Sequence, residues 1–321
     1  MGITVKSMEG PSQQEDHREG KSVLNLIPGE VVEVRSEKEI LATLDKNGTL
    51  EGLPFIAEMR EYCGRRFRVL KHVTKIIVEG VGAGRIRNTA ILAGVTCDGE
   101  ANEGCRRTCP LLWKEAWLKR VNENNAQNGA VESIPLATEN KLNIPEAVSV
   151  CQSVNLLEAT SHIRKWDFRQ YIWDMTSGTY KPSERVHSIL NSLSLRIQRL
   201  LVGEKPPLLG GRLKRTPSAT LNLQPGEPVE VKSKEEILAT LDFMGRNRGL
   251  YFTPEMVKYC GKKLRVLKQL DKMVNEKTGE LRKISNTVLL QGSTCDGKAH
   301  GGCQRLCYCL WREIWLTRVN E

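Results

Sequence analysis

The sequence predicts an α+β, mainly β protein: two copies of one small antiparallel barrel, each carrying four cysteines and ending in a helix, joined by a helical middle segment. Recurrence is the first observation behind this. "PGEVVEVRSEKEILATLD" at 28–45 returns as "PGEPVEVKSKEEILATLD" at 225–242, and "EMREYCGRRFRVLK" at 58–71 returns as "EMVKYCGKKLRVLK" at 255–268. A cassette then repeats, "GVTCDGEANEGCRRTCPLLWKEAWLKRVNE" at 94–123 and "GSTCDGKAHGGCQRLCYCLWREIWLTRVNE" at 292–321. Strand alternation within each copy is the second observation. The third is that eight of the ten cysteines fall at matching positions. Two copies are too few for a solenoid, so each is expected to hold its own core. The expected division is a disordered tail over 1–27, a first module over 28–123, a linker and helical segment over 124–224, and a second module over 225–321.

Within the first copy, Val32 and Val34 alternate with Glu33 and Arg35, the period of a half-buried strand. Ser36 and Glu39 form a capping-box pattern opening a short helix through Ile40, Leu41 and Leu44. Asn47-Gly48 is a turn signal; Phe67, Val69, Ile76 and Val78 read as strand. In the second copy Thr278-Gly279 marks a hairpin tip and "NTVLLQG" a returning strand. Short strands with glycine-rich turns indicate a small antiparallel barrel, and the layout resembles SH3-like or KOW-like folds. Between the copies, "NENNAQNGAVES" reads as linker. Asp167 and Ser183 then cap two helical stripes, the second stopped by Gly203.

The repeated cysteines are Cys63, Cys97, Cys105 and Cys109, then Cys260, Cys295, Cys303 and Cys307. Four thiols per module is the number that a closed tetrahedral zinc site requires, giving two zinc ions per chain. Asp98-Gly99 and Asp296-Gly297 follow a cysteine where a tight turn can aim backbone N–H groups at sulfur. An iron–sulfur cluster also takes four thiolates, and paired disulfides or plain packing would use them too. Zinc is favoured over all three, because no export signal accompanies the cysteines and C-x2-C-x2-C is absent. Cys151 reads as a core thiol. Cys309 has no counterpart in the first copy. His300 sits among the cysteines but matches Asn102, so it is not expected to be a ligand.

After the last cysteine, Trp113, Trp117 and Val121 recur as Trp311, Trp315 and Val319 at helical spacing. The stripe is expected to close the barrel; the alternative is a partner-binding face, since aromatics are preferred anchors. Glu115, Arg120, Glu313 and Arg318 are expected on an ion-paired or solvated outer face.

Net charge is +10 over 321 residues, spread along the chain with no basic tail. The basic run after each first cysteine, Arg65, Arg66 and Arg68 with Lys262, Lys263 and Arg265, is the candidate nucleic-acid surface. No apolar run reaches membrane-spanning length and the N-terminus lacks a secretory core, which places the expected compartment in the cytoplasm. There is no nucleophile elbow, Walker loop, dinucleotide fingerprint or H-E-x-x-H. The segments "EM…YCG…RV", "C-D-G" and "C…LWREIWL.RV" resemble a bacterial family of duplicated four-cysteine small-barrel modules. Genes of that family accompany sets for surface-polysaccharide or secondary-metabolite assembly. The likeness also takes in "VCQSVNLLEATSHIRKWDFRQYIWDMTSG". It implies the domain and the cysteines, and no activity. The leading expectation is a zinc-stabilised accessory module that binds another protein, such as a biosynthetic enzyme. A nucleic-acid binder is the alternative, and a metalloenzyme with a site between the modules the third.

Overall fold

Alternating valines, a capped turn of helix and long hairpins produce two sheets with the same strand order. The computed structural model describes residues 23–78, 81–121, 151–164, 167, 169 and 209–319. The linker at 122–133 and the helical stripe at 183–203 lie outside the described residues, as does all but Asp167 and Arg169 of the helix expected at 167–175. In the first half β1 (Val31–Val34) leads into helix α1 (Glu37–Leu41), where Ser36 and Glu39 make both bonds of the capping box. A tight hairpin follows, β2 (Thr49–Leu50) and β3 (Leu53–Pro54), then a 3-10 turn over Ala57–Tyr62. The long strands β4 (Arg66–Val78) and β5 (Gly82–Thr96) make the central hairpin. Next come β6 (Pro110–Lys114), a 3-10 turn over Glu115–Trp117, and β7 (Leu118–Arg120). The antiparallel order is β6-β5-β4-β1-β7, with β8 (Ser161–His162) of the middle segment added to β5.

The second half repeats this with β9 (Pro228–Val231), α2 (Lys234–Leu238), β10 (Arg246–Asn247), β11 (Leu250–Tyr251), β12 (Lys263–Gln269), β13 (Lys272–Val274), β14 (Leu281–Lys283), β15 (Thr287–Thr294), β16 (Tyr308–Arg312) and β17 (Leu316–Arg318). Its main sheet runs β16-β15-β12-β9-β17. The registers correspond position by position. Val32 faces Phe67 where Val229 faces Leu264, and Ala90 faces Trp113 where Val288 faces Trp311.

The expected C-terminal helix is not formed. The segment after the last cysteine is strand, one 3-10 turn, then strand. Apolar residues four apart reach one face on a helix, but a sharp corner between two strands does the same, and here both strands have pairing partners. Trp113, Trp117, Trp311 and Trp315 are fully buried, so they belong to the cores of the two halves and offer no exposed anchor to a partner. Phe55 meets both tryptophans of its half edge-on, at 6.5 and 5.6 Å between centroids. Trp117 Nε1 donates to Thr43 Oγ1, as Trp315 Nε1 does to Thr240 Oγ1, both at 3.0 Å.

Glu115 and Glu313 are not on an outer face. Both are buried at the corner, where Glu115 accepts backbone N–H groups from Leu24, Asn25 and Leu26 at 2.8–3.0 Å. Glu313 does the same for Leu221, Asn222 and Leu223. This strap lies in front of the expected module starts at 28 and 225, and Leu26 and Leu223 are core residues, so residues 23–27 belong to the fold and not to the disordered tail expected there. Arg120 and Arg318 do sit outside, paired with Glu30 and Glu227.

Removing the corner carboxylate leaves three backbone donors without an acceptor in the interior. Glu115→Ala is expected to lower the unfolding free energy by ~3 kcal/mol or more. Glu30→Ala, which breaks only the half-exposed pair with Arg120, is expected to cost less than ~1 kcal/mol. Equal losses in denaturant titrations of the two variants would contradict the role given to Glu115.

Candidate functional site

The two cysteine quartets are not gathered into two sites. Cys63 ends the 3-10 turn beside Glu37 and Arg60, and Cys260 lies beside Glu235 and Lys234. Cys105 and Cys303 point across to the opposite half. Val274 N–H donates to Cys105 Sγ and Ile77 N–H to Cys303 Sγ, each at 3.4 Å. Cys97 and Cys109 line one small cavity with Cys151, Ser153 and Arg305. Cys109 and Cys307, one from each half, lie near enough to influence each other's charge, next to Arg107 and Arg305. The reason is the interlocking of the halves. Arg106 N–H donates to Lys272 O and Gln304 N–H to Lys75 O, which carries the loop holding the later cysteines into the neighbouring sheet.

Between the halves, Glu276 is held by Arg107 and by Nη1 of Arg305, which donates to both of its carboxylate oxygens. Arg305 reaches Ser153 Oγ at 2.7 Å. Burial opposes the charge on Arg305, but Cys307, Glu276 and Cys109 beside it keep its pKa above the usual arginine range. Burial drives the thiols the other way. It pushes Cys63 and Cys109 to about 11 and Cys309 to about 12, and it raises Cys97, Cys151, Cys260, Cys295 and Cys303 as well. Such thiols stay protonated near neutrality, Cys109 included, although Arg107 and Arg305 beside it work against the rise. None of them is set up as a nucleophile.

One group of donors does converge. Glu255, Cys295 and His300 offer ligand atoms all within 4.8 Å of one another, and among the described residues this is the one such group of three. Cys295 Sγ lies 3.5 Å from Glu255 Oε1 and 3.4 Å from His300 Nδ1, and His300 Nδ1 is 2.5 Å from Glu255 Oε1. Burial works to raise the Glu255 pKa, but the bond to His300 outweighs it and holds the carboxyl at about 2. Glu58, the matching residue of the first half, has Asn102 in place of a histidine. Burial and the neighbouring Asp98 push its carboxyl up. His300 was set aside in the sequence because it lacks a duplicate; that difference between the copies is the signal that finds it.

The expected basic runs are exposed but partly engaged. Arg66 pairs with Glu33, Arg68 donates to Gly29 O, Arg265 to Gly226 O, and Lys262 lies over the Tyr259 ring. Arg65 and Lys263 are also exposed. A basic cleft forms elsewhere, on the outer side of the second half. It encloses about 830 Å³ and is lined by Lys214, Arg215, Arg248, Arg282, Lys283 and Arg312. Its carboxylate, Asp242, accepts from Met244 and Arg246 N–H in its own turn and pairs with the Arg246 side chain. Arg312 donates only to neutral oxygens: Asn247 O, Ser285 O, Arg248 O and Thr287 Oγ1. Burial, then the charge of Arg248, lower its pKa.

The first half shows what that place looks like when neutralised. Glu51 stands where Arg248 stands and accepts from Lys114 Nζ at 2.9 Å. The middle segment lies over it. Glu158, Ala159, Thr160 and Ser161 join Glu51, Arg85, Arg87 and Lys114 around what remains of the cleft. A Cβ on Gly52 would come within 2.4 Å of Glu158 O, so glycine is what lets the cover close. Comparison with protein-family models, curated proteins and solved structures yields no match for the chain.

The Glu255–His300 pair has a defined pH window. The depressed Glu255 pKa adds stability that is full above ~4.3 and is lost as pH falls toward about 2. The raised His300 pKa adds stability that is full below ~6.5 and is lost as pH rises through its folded value. In chelator-treated protein, carboxyl-carbon NMR should therefore find Glu255 titrating near 2, and moving upward in His300→Asn. An unchanged titration in that variant would remove His300 as the cause.

Proposed function

We propose that this chain is a nucleic-acid-binding protein that holds single-stranded RNA or DNA in the basic cleft of its second half. The observation that carries the reading is the contrast between the two copies of one position. Where the first half places Glu51 against Lys114 under a protein cover, the second places Arg248 beside Arg312 around an open cleft. Among the described residues none of the six cationic residues of that cleft is ion-paired. Like charges this close oppose one another, and a polyanion relieves them. The same hairpin exposes Phe243, at 66%, and Tyr251, at 50%, where the first copy has Lys46 and Pro54. Exposed rings next to a cationic groove suit unpaired bases, each stacked base contributing ~1–3 kcal/mol. Phosphate contacts fix the strand without selecting its sequence.

The finer reading of the architecture, two duplicated SH3-like barrels, is supported by the matched registers and by the 3-10 turn between the last two strands of each main sheet. The accessory-protein reading is less favoured because the repeated Trp113, Trp117, Trp311 and Trp315 are interior, while Trp166 and Trp173 lie outside the described residues. No helix among the described residues is long and apolar enough to cross a membrane.

With five phosphate contacts on a single strand, from the exposed Lys214, Arg215, Arg248, Arg282 and Lys283, the slope of log affinity against log salt is expected near about −3.5, a loss of roughly 130-fold between 50 and 200 mM. Arg248→Glu with Lys283→Glu should flatten the slope by about 1.4 and weaken binding more than ~10-fold. Arg65→Glu with Lys262→Glu should leave both nearly unchanged. A fluorescence titration with a mixed-sequence single strand reads all three. No binding at 50 mM salt, or loss only in the Arg65/Lys262 pair, would overturn the proposal.

A further inference from the structure

We propose that Glu255, Cys295 and His300 form a binding site for one transition-metal cation of the Zn²⁺ class, present in the second half and absent from the first. The three come from separate elements. Glu255 lies in the 3-10 turn Pro254–Tyr259, Cys295 follows the end of β15, and His300 stands in the loop beyond it. Gly297 shapes that loop: its φ is +75°, and a Cβ there would fall 1.7 Å from Cys303 O. With glycine in place the loop turns back, His300 N–H reaches Gly297 O, and Gly297 N–H donates to Cys295 Sγ at 3.3 Å.

The distances suit a tetrahedral cation. Bonds of ~2.3 Å to sulfur and ~2.0–2.1 Å to nitrogen and oxygen give ligand–ligand edges of about 3.5 Å to sulfur and about 3.3 Å between nitrogen and oxygen. Both edges to Cys295 Sγ, 3.5 and 3.4 Å, already have that length. Only the edge between His300 and Glu255, at 2.5 Å, has to open, by about 0.8 Å. A cysteine–histidine–acid relay would be arranged differently, with thiol and carboxylate on opposite ring nitrogens. Here both meet Nδ1, so the trio converges on a point. A second observation indicates a missing partner. The Glu255 side chain is only 2% exposed, and its Oε2 has no hydrogen-bond partner in the interior. Buried acceptors without donors are rare, and a cation at the convergence point would satisfy this one.

The donor set selects the ligand class. Thiolate with imidazole favours Zn²⁺ and its neighbours over Mg²⁺ or Ca²⁺, which take oxygen. The first half retains Glu58 and Cys97 but has Asn102 where His300 stands, and no such trio forms there. The stoichiometry is therefore one per chain, not the two that paired cysteine quartets would give. This inference does not depend on nucleic-acid binding.

The test uses the full chain, freed of metal by chelation and titrated with Co²⁺. The expected result is a thiolate-to-cobalt absorption band that saturates at one equivalent and is displaced by Zn²⁺. His300→Asn, which installs the residue the first half already carries, should weaken cobalt binding at least ~10-fold in a metal-free chain that still unfolds cooperatively, its midpoint lowered only by loss of the Glu255–His300 pair. Cys97→Ser should change neither stoichiometry nor affinity. No thiolate band, saturation at two equivalents, or a band that survives His300→Asn but is lost in Cys97→Ser would each overturn the site.

Discussion

Each half is closed by a buried carboxylate, Glu115 or Glu313, that draws three successive backbone N–H groups onto the corner between its last two strands. A buried carboxylate without partners would be prohibitively costly, so the strap that supplies the donors is as necessary as the acid. Asn25 and Asn222, at φ +50° and +51°, let the strap turn its N–H groups inward. With the strap in place, Leu26 and Leu223 enter the core, and the 3-10 turn holds Trp117 and Trp315 against the hydroxyls of Thr43 and Thr240. The strand order then follows from pairing alone.

The halves are fastened by exchange. Each lends a cysteine and a loop to its neighbour, and the Arg107–Glu276–Arg305 cluster fills the space between them. This interlock confines divergence to the periphery. There the first half has a cover and a neutralising glutamate, and the second has six cations, exposed rings and a histidine.

Much of this was legible in the residues. The valine alternation, the Ser36 capping box, the hairpins and the mainly β character could be read directly, because each rests on local chemistry. The C-terminal helix was misread because the spacing from Trp113 to Trp117 suits a strand corner as well as a helical turn. Glu115 was placed outside because a charge near a polar run ordinarily lies there, and its three donors come from residues about ninety positions earlier. The cleft was hidden for the same reason, since Lys214, Arg248, Lys283 and Arg312 come together only when a loop, two hairpins and the last strands fold.

The central claim, that the second half alone has the polyanion site, is tested most directly by hydrogen–deuterium exchange of the full chain with and without a saturating single-stranded oligonucleotide. The account predicts slower exchange over 242–251 and 281–285, and none at the matching 45–54 of the covered half. Protection confined to 65–68 and 262–265, or equal in both halves, would contradict it.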